Sequence, residues 1–267
     1  MLKIEIESGV ELYYDDHGEG TPVIFIHGVW MSRKFFKDQL PYFSKEHRAI
    51  TIDLRGHGDS AQVSEGHTIS TYAKDLQALI TKLELKDVVL VGWSMGAFVI
   101  WEYLQQFGEA NVRGTVIVDE LASDFKWPDF PIGAFDLPTL THFMREVQDN
   151  RKEFLKGFIP LMFKEGVAPE EMDWMLEETL KPTTGVASAI LFDQSVVDYR
   201  STFPSLSKPT LLCFGKAEKL IPVAAGEHLK EAIANSELVL FEESCHCPFL
   251  EETELFNRVV SNFIKAL

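Results

Sequence analysis

The 267-residue chain has few cysteines and no long apolar segment. Its three cysteines are an odd and small number, which does not predict a disulfide framework. No uninterrupted apolar run approaches the ~18 residues that a membrane-spanning helix needs. The first twenty residues alternate polar and apolar side chains and do not resemble a secretion signal. We therefore expect a cytoplasmic protein with no membrane partner.

Positive charge is also scarce. The chain has 25 Lys and Arg residues against 41 Asp and Glu residues, a formal net charge of −16. An acidic surface of this kind repels phosphate backbones, so no nucleic-acid partner is expected. Hydrophobic residues make up 46% of the chain, enough for a sizeable folded core. The composition therefore favours a globular protein.

Two of the cysteines, Cys245 and Cys247, flank His246. Cysteine and histidine side chains are typical zinc ligands, so this spacing raises the question of a metal site. A structural zinc site needs four ligands, however, and the sequence has no second cluster to complete the set. We predict no metal site here.

Short apolar runs alternate with segments of helical spacing along most of the chain. Two antiparallel strands are predicted first, at residues 3–7 and 10–16. Buried strands are then predicted at residues 22–28, 47–53, 87–92, 113–120, 209–215 and 236–242, with helical patterns between most of them. This alternation predicts a parallel sheet covered by helices on both faces.

The strand pattern stops between about Leu121 and Leu206. A proline-rich stretch with bulky aromatic residues comes first, and three segments with helical patterns follow. We therefore predict a helical insertion over residues 121–206. The core would then consist of residues 1–120 and 207–267.

Ser94 lies between a predicted buried strand and a predicted helix, in the sequence Gly-Trp-Ser-Met-Gly. This pattern and context are typical of a nucleophile elbow, where the serine occupies a strained turn and the glycines let strand and helix approach closely. The alternative is an ordinary serine in a glycine-rich turn. A serine hydroxyl is a weak nucleophile unless a base takes its proton, so a histidine is needed as well.

His246 is the best candidate base among the eight histidines, because it follows the last predicted strand and precedes the last predicted helix, a single helix at residues 248–267. His57 is a weaker alternative. The oxyanion of a tetrahedral intermediate needs hydrogen-bond donors. We predict that the backbone N–H groups of Met95 and Val29 supply them.

Five segments carry a resemblance to a known family: HGVW, DLRGHGDS, GWSMG, FGKAEKLIP and CHCPFLEE, in this order. With them the chain resembles the α/β-hydrolases over nearly its full length, and is most similar to their cofactor-free esterase, lactonase and perhydrolase-like branch. The resemblance implies a three-layer α/β sandwich with a mostly parallel eight-stranded sheet, a helical cap over the pocket and no cofactor. The residue before the histidine is usually glycine in the family, and here it is Cys245.

The acid that supports the histidine is open between two positions. The family's usual aspartate position, after the strand predicted at 209–215, is occupied here by Glu218. Asp119 lies at the end of the strand predicted at 113–120, and some relatives supply the acid from this strand. The alternative role of Asp119 is to cap the turn that follows the strand. We favour Glu218 over Asp119, and Glu120 is a third choice.

We expect a serine hydrolase that cleaves a small carboxylic ester or lactone through an acyl-enzyme on Ser94. The alternatives are a perhydrolase of the cofactor-free haloperoxidase type, a C–C bond hydrolase on the same triad, or a slow ligand-binding signalling protein. The expected partner is a small-molecule substrate, and the expected assembly is a monomer or homodimer. Seven aromatic residues are predicted to contact the substrate: Trp30, Trp93, Phe125, Trp127, Phe130, Phe135 and Phe143. For those in the insertion, the alternative is packing within the cap.

Overall fold

A computed structural model describes all residues, 1–267. Eight strands form one sheet in the order β1-β2-β4-β3-β5-β6-β7-β8. They are β1 (Leu2–Glu7), β2 (Val10–His17), β3 (Pro22–Ile26), β4 (Arg48–Ile52), β5 (Val88–Trp93), β6 (Val112–Val118), β7 (Thr210–Gly215) and β8 (Ser236–Phe241). The β1–β2 and β2–β4 pairs are antiparallel and all other pairs are parallel. The predicted fold class is confirmed.

Burial follows strand position in the sheet. Every residue of β5, at the centre, is buried, whereas the edge strand β1 is mostly exposed. A parallel strand with helices on both faces has no solvent-facing side, so its sequence is apolar throughout. The unbroken run Val88–Val91 therefore identified this strand in the sequence.

Ten α-helices accompany the sheet. They are α1 (Gln39–Phe43), α2 (Ile69–Lys82), α3 (Met95–Phe107), α4 (Leu137–Asp149), α5 (Arg151–Phe158), α6 (Pro169–Leu180), α7 (Thr184–Val196), α8 (Ala224–Ala232), α9 (Pro248–Glu251) and α10 (Thr253–Ala266). None of them has both the length and the hydropathy that a membrane crossing requires.

Helices α4 to α7 follow β6 and precede β7. Trp30, in the loop after β3, connects them to the sheet: its indole Nε1 donates to the Ala187 carbonyl of α7 at 3.0 Å. The same indole packs edge-on against Phe154 and Phe158 of α5. These contacts hold the inserted helices over the carboxyl end of β3. The division into core and cap remains a prediction.

The C-terminal region departs from the sequence prediction of one continuous helix. Helix α9 ends at Glu251 and α10 begins at Thr253, with Glu252 at φ −119°, ψ 50° between them. The break lets Glu252 accept hydrogen bonds from the Ser244 hydroxyl at 2.7 Å and the Glu243 amide at 3.0 Å. Hydrogen bonds from the preceding loop to the Glu252 side chain thus form where a continuous helix would otherwise run. That loop leads directly to His246.

Candidate active site

Ser94 occupies a strained turn between β5 and α3. Its φ of 52° and ψ of −128° lie in a region that a side chain disfavours. The Ser94 amide donates to the Val118 carbonyl of β6 at 2.9 Å, which fixes the turn against the sheet. Ser94 is half-buried, whereas its neighbours Trp93 and Met95 are buried. This turn therefore leaves the Ser94 side chain more accessible than those of its two neighbours.

The flanking glycines are required by close backbone approach. A Cβ atom on Gly96 would lie 2.3 Å from the Ile26 carbonyl oxygen of β3, and one on Gly92 would lie 2.5 Å from the Gly96 carbonyl oxygen. Real Cβ atoms do not approach backbone atoms so closely. Only glycine lets α3 begin this close to β3 and β5, as the nucleophile-elbow pattern demands.

His246 is held by hydrogen bonds on both its ring and its backbone. Its Nδ1 lies 2.8 Å from Glu218 Oε1. Its amide donates to the Met162 carbonyl at 3.0 Å, and its carbonyl accepts from Trp93 Nε1 at 2.9 Å. Because a carboxylate can only accept, the proton of a neutral His246 sits on Nδ1 and leaves Nε2 as a free acceptor.

The Glu218 carboxylate is itself anchored. Its Oε2 accepts hydrogen bonds from the amides of Ile221, at 2.8 Å, and Leu220. Its side chain is 1% exposed. Oε2 therefore binds the loop after β7, and Oε1 binds the His246 imidazole.

Ser94 and His246 line the same cavity, whose volume is about 190 Å³. Val29 and Trp30 from the loop after β3 also line it, and the inserted helices supply much of the rest. A ligand in this cavity would therefore touch the sheet edge and the inserted helices together.

Two backbone amides next to the cavity are free to donate. Val29 N has no acceptor within the protein. Met95 is the first residue of α3, so its N–H has no intrahelical acceptor. Both amides adjoin the cavity, Val29 as a lining residue and Met95 as the residue after Ser94.

The orientation of the Val29 amide is set by His27. The Leu54 amide donates to His27 Nε2 at 3.1 Å, so the ring proton sits on Nδ1 and is donated to the Gly28 carbonyl at 2.8 Å. Burial lowers the pKa of His27 to about 4, which keeps the ring neutral. The Gly28 carbonyl and the Val29 N–H belong to one planar trans peptide, so fixing the carbonyl also aims the N–H.

Asp119 makes no hydrogen bond to His246. Its Oδ2 accepts from the Gly215 amide at 3.0 Å, and its Oδ1 is buried without a partner. Burial raises the pKa of Asp119 well above its usual range, and the negative charge of Glu218 adds to this. A neutral Asp119 cannot stabilise an imidazolium by charge. The third choice, Glu120, contacts its own neighbour, the Leu121 amide.

The alternative base His57 lies away from the cavity. It is fully buried, and its Nδ1 is 3.0 Å from the Arg55 carbonyl. Burial lowers its pKa well below the usual range. His57 therefore organises the loop after β4.

Asp119, Glu218 and His246 each place one potential metal-ligand atom within 4.8 Å of the others. Three protein ligands are the number that catalytic zinc sites use. His246 Nδ1 and Glu218 Oε1 already share a proton at hydrogen-bond distance, however, and a cation would have to displace it. The neighbouring Cys245 thiol donates to the Leu161 carbonyl at 3.3 Å.

A sequence model of the alpha/beta hydrolase fold family matches residues 21–253. The chain belongs to this family. It is 31% identical over 264 residues to the AB hydrolase superfamily protein YisY of Bacillus subtilis, a match that covers 97% of both chains. Two solved structures, each with a TM-score of 0.94, are an esterase from Exiguobacterium antarcticum and a bromoperoxidase from Bacillus anthracis. The esterase is 28% identical and covers 98% of both chains; the bromoperoxidase is 29% identical and covers 99% of both.

Three of the seven aromatic residues predicted to contact substrate line the cavity of this α/β hydrolase: Trp30, Phe135 and Phe143. Trp93 does not, which corrects the prediction. Its indole is buried against Phe36 and Phe249 and donates to the His246 carbonyl. Because side chains alternate along a strand, the residue before Ser94 faces the opposite side of β5.

Phe125, Trp127 and Phe130 also lie outside the cavity, contrary to the prediction. Phe125 and Trp127 pack on each other with ring centroids 5.1 Å apart. Phe130 packs against His228 at 5.0 Å. These three rings stabilise the segment between β6 and α4, so the alternative of cap packing applies to them.

Most of the polar lining was not predicted from the sequence. Asp124 and Gln194 line the cavity, and so does Glu120, which was considered only as a triad acid. The other lining residues not predicted are Ala134, Thr139, Phe158, Leu191, Lys219, Leu220 and Ile221. One weak indication of the polar lining was present in the sequence. Gln194 is a polar residue three positions after Leu191, on the apolar side of α7.

Proposed function

We propose that this protein is a serine hydrolase that cleaves a small carboxylic ester or lactone. Ser94 Oγ attacks the carbonyl carbon while His246 Nε2 takes its proton. Glu218 holds the imidazole and stabilises its protonated form. The Met95 and Val29 amides bind the oxyanion. His246 then protonates the leaving alcohol, and water, activated by the same ring, releases the acid and restores Ser94.

The observation that carries the proposal is the shared cavity of Ser94 and His246, with His246 Nδ1 bonded to Glu218. This bond leaves Nε2 as the only ring nitrogen able to accept the serine proton. The cavity of about 190 Å³ is smaller than the ~300–1,000 Å³ of drug-sized sites, which supports a small substrate.

Ser94→Ala tests the proposal directly. We expect normal folding and a loss of ester hydrolysis by several orders of magnitude, because only binding and the oxyanion amides remain. Turnover of p-nitrophenyl acetate measures the loss, and a fluorophosphonate probe should label the wild type but not the variant. The exposed Ser201→Ala is the matched control and should keep both properties. Wild-type turnover by pure Ser94→Ala protein would refute the proposal.

Perhydrolysis is a second candidate, supported by the likeness to the bromoperoxidase. In this reaction hydrogen peroxide replaces water and attacks the acyl-Ser94 carbonyl; the acyl–oxygen bond breaks, and a peracid and free Ser94 result. Peracid formation from an acetate ester and peroxide, measured by halide oxidation, should then require Ser94. Rapid ester hydrolysis without any peracid would mean that the protein is a hydrolase and not a perhydrolase.

A further inference from the structure

One wall of the cavity is built from three buried polar side chains, Glu120, Asp124 and Gln194, which are 1%, 3% and 4% exposed. Gln194 Nε2 donates to Asp124 Oδ2 at 3.0 Å. The carboxyl groups of Glu120 and Asp124 also hydrogen-bond to each other. We call these three residues the polar wall. The proposed reaction uses none of them.

The polar wall has more acceptors than donors. Two carboxyl groups can bond to each other only through a proton that one of them carries. Burial raises the pKa of both groups, that of Asp124 to about 7, which keeps this proton in place. After these internal bonds, Gln194 Oε1 is buried and has no partner. A buried acceptor without a donor is costly, and native proteins rarely leave one without a reason.

No basic side chain forms a hydrogen bond or an ion pair with the polar wall. Lys219 is the only basic residue other than His246 that lines the cavity. Its Nζ donates to the carbonyls of Phe163 at 2.7 Å and Lys164 at 2.8 Å, which direct the ammonium group toward these backbone oxygens. An anionic group at the polar wall would therefore face carboxyl oxygens.

The remaining walls are mostly apolar. Rings and aliphatic side chains cover them, from Trp30, Phe135, Phe143, Phe158 and Leu191. Apolar walls bind a hydrocarbon body, and a few placed polar groups in such a pocket fix orientation and specificity. The polar wall is therefore the part of the cavity able to select one substrate over another of the same size.

We propose that the polar wall is a specificity subsite for a substrate's hydrogen-bond donor. The preferred substrate is an ester or lactone with an apolar body that carries a hydroxyl or ammonium group away from the reacting carbonyl. The Gln194 side-chain amide and the Glu120–Asp124 pair supply the acceptors for this group. The proposal rests on the proposed function, since it assumes that the ester lies beside Ser94.

Matched esters test the subsite in the wild-type enzyme. Methyl esters of three- to six-carbon acids are compared at each length with a terminal hydroxyl, ammonium, methyl or carboxylate group, and acid release is followed by titration. A second series places the same groups on the alcohol. At the best length we expect kcat/KM for a donor-bearing ester to exceed that of its methyl-terminated isostere by about tenfold or more. The carboxylate ester should be the poorest substrate.

Gln194→Leu assigns the preference to the polar wall, because it removes the free acceptor at similar size. The ratio of donor to methyl-terminated kcat/KM should fall to about one. Gln148→Leu makes the same change at an exposed position of α4 and should leave that ratio unchanged. The wild-type comparison comes first, so it decides the question even if Gln194→Leu is unstable.

Several results separate the two proposals. Two results would overturn the subsite but not the proposed hydrolase function. One is a wild-type preference for methyl-terminated esters at every length, and the other is a full donor preference in Gln194→Leu protein. Ser94→Ala protein that cleaves the series at the wild-type rate would overturn the hydrolase itself. A hydroxyl preference without an ammonium preference would support the subsite and define it as a neutral one.

Discussion

Glu218→Gln is the most informative change to the candidate active site. In the structure, Glu218 Oε1 accepts from His246 Nδ1 while Oε2 accepts from the Leu220 and Ile221 amides. Glutamine has only one oxygen for these two tasks. If that oxygen stays with the backbone amides, the side-chain NH₂ faces His246 and forces Nδ1 to act as acceptor. The proton then moves to Nε2, which can no longer take the Ser94 proton.

The expected magnitude is large. The corresponding Asp→Asn change in the serine-protease triad lowers kcat by about 10⁴-fold through the same change of tautomer. A 10⁴-fold loss corresponds to about 5 kcal/mol of transition-state stabilisation. We expect a similar loss in Glu218→Gln. The opposite amide orientation does not avoid it, because the NH₂ would then face two backbone donors.

Asp119→Asn is the matched control for this experiment. Burial raises the pKa of Asp119 well above its usual range, which favours its neutral form. Asparagine is the same size as a protonated aspartate and can still accept from the Gly215 amide. Its kcat should therefore stay within about tenfold of wild type. The assay is p-nitrophenyl acetate hydrolysis, with thermal unfolding to show that both variants fold. A crippled Asp119→Asn with near-normal Glu218→Gln would show that the acid comes from β6 and that our reasoning is wrong.

Two further predictions concern stability. Gly96→Ala should lower the free energy of unfolding by at least ~2 kcal/mol in denaturant titrations, because its Cβ would meet the Ile26 carbonyl. Gly157→Ala in α5, where a Cβ meets nothing, should raise the free energy of unfolding by ~0.5–1 kcal/mol. Equal effects of the two substitutions would contradict this reasoning. Asp124→Asn should flatten the fall in stability as pH rises between about 4 and 7. Burial raises the Asp124 pKa to about 7, so over this range the folded state keeps a proton that the unfolded state releases. Unfolding titrations across that range should show no flattening for the exposed Asp149→Asn, and an unchanged slope in Asp124→Asn would disprove the argument.

The sheet could be predicted because its signal is local. A strand such as β5, buried on both faces, must be apolar at each position, and the run Val88–Val91 shows this without any knowledge of its neighbours. The elbow around Ser94 is also recognisable locally, because its five-residue pattern lies between a strand and a helix; the β3 carbonyl that excludes a Cβ from Gly96 comes from a distant part of the chain. The break between α9 and α10 escaped prediction because the bonds of Glu252 to the loop before His246 depend on the folded loop.

Sequence alone thus determined the alternation of strands and helices, the candidate nucleophile and the position of a candidate base after the last strand. Only the tertiary structure decided which carboxyl contacts His246, because Glu218 and Asp119 both follow adjacent strands and their oxygens point to different partners. It also decided which aromatic rings face the cavity, and it brought Gln194 beside Asp124, which lies 70 residues earlier in the chain. Helical and strand periodicity specify that a side chain is buried, but the contacts inside the core follow from the packing of elements distant in the chain.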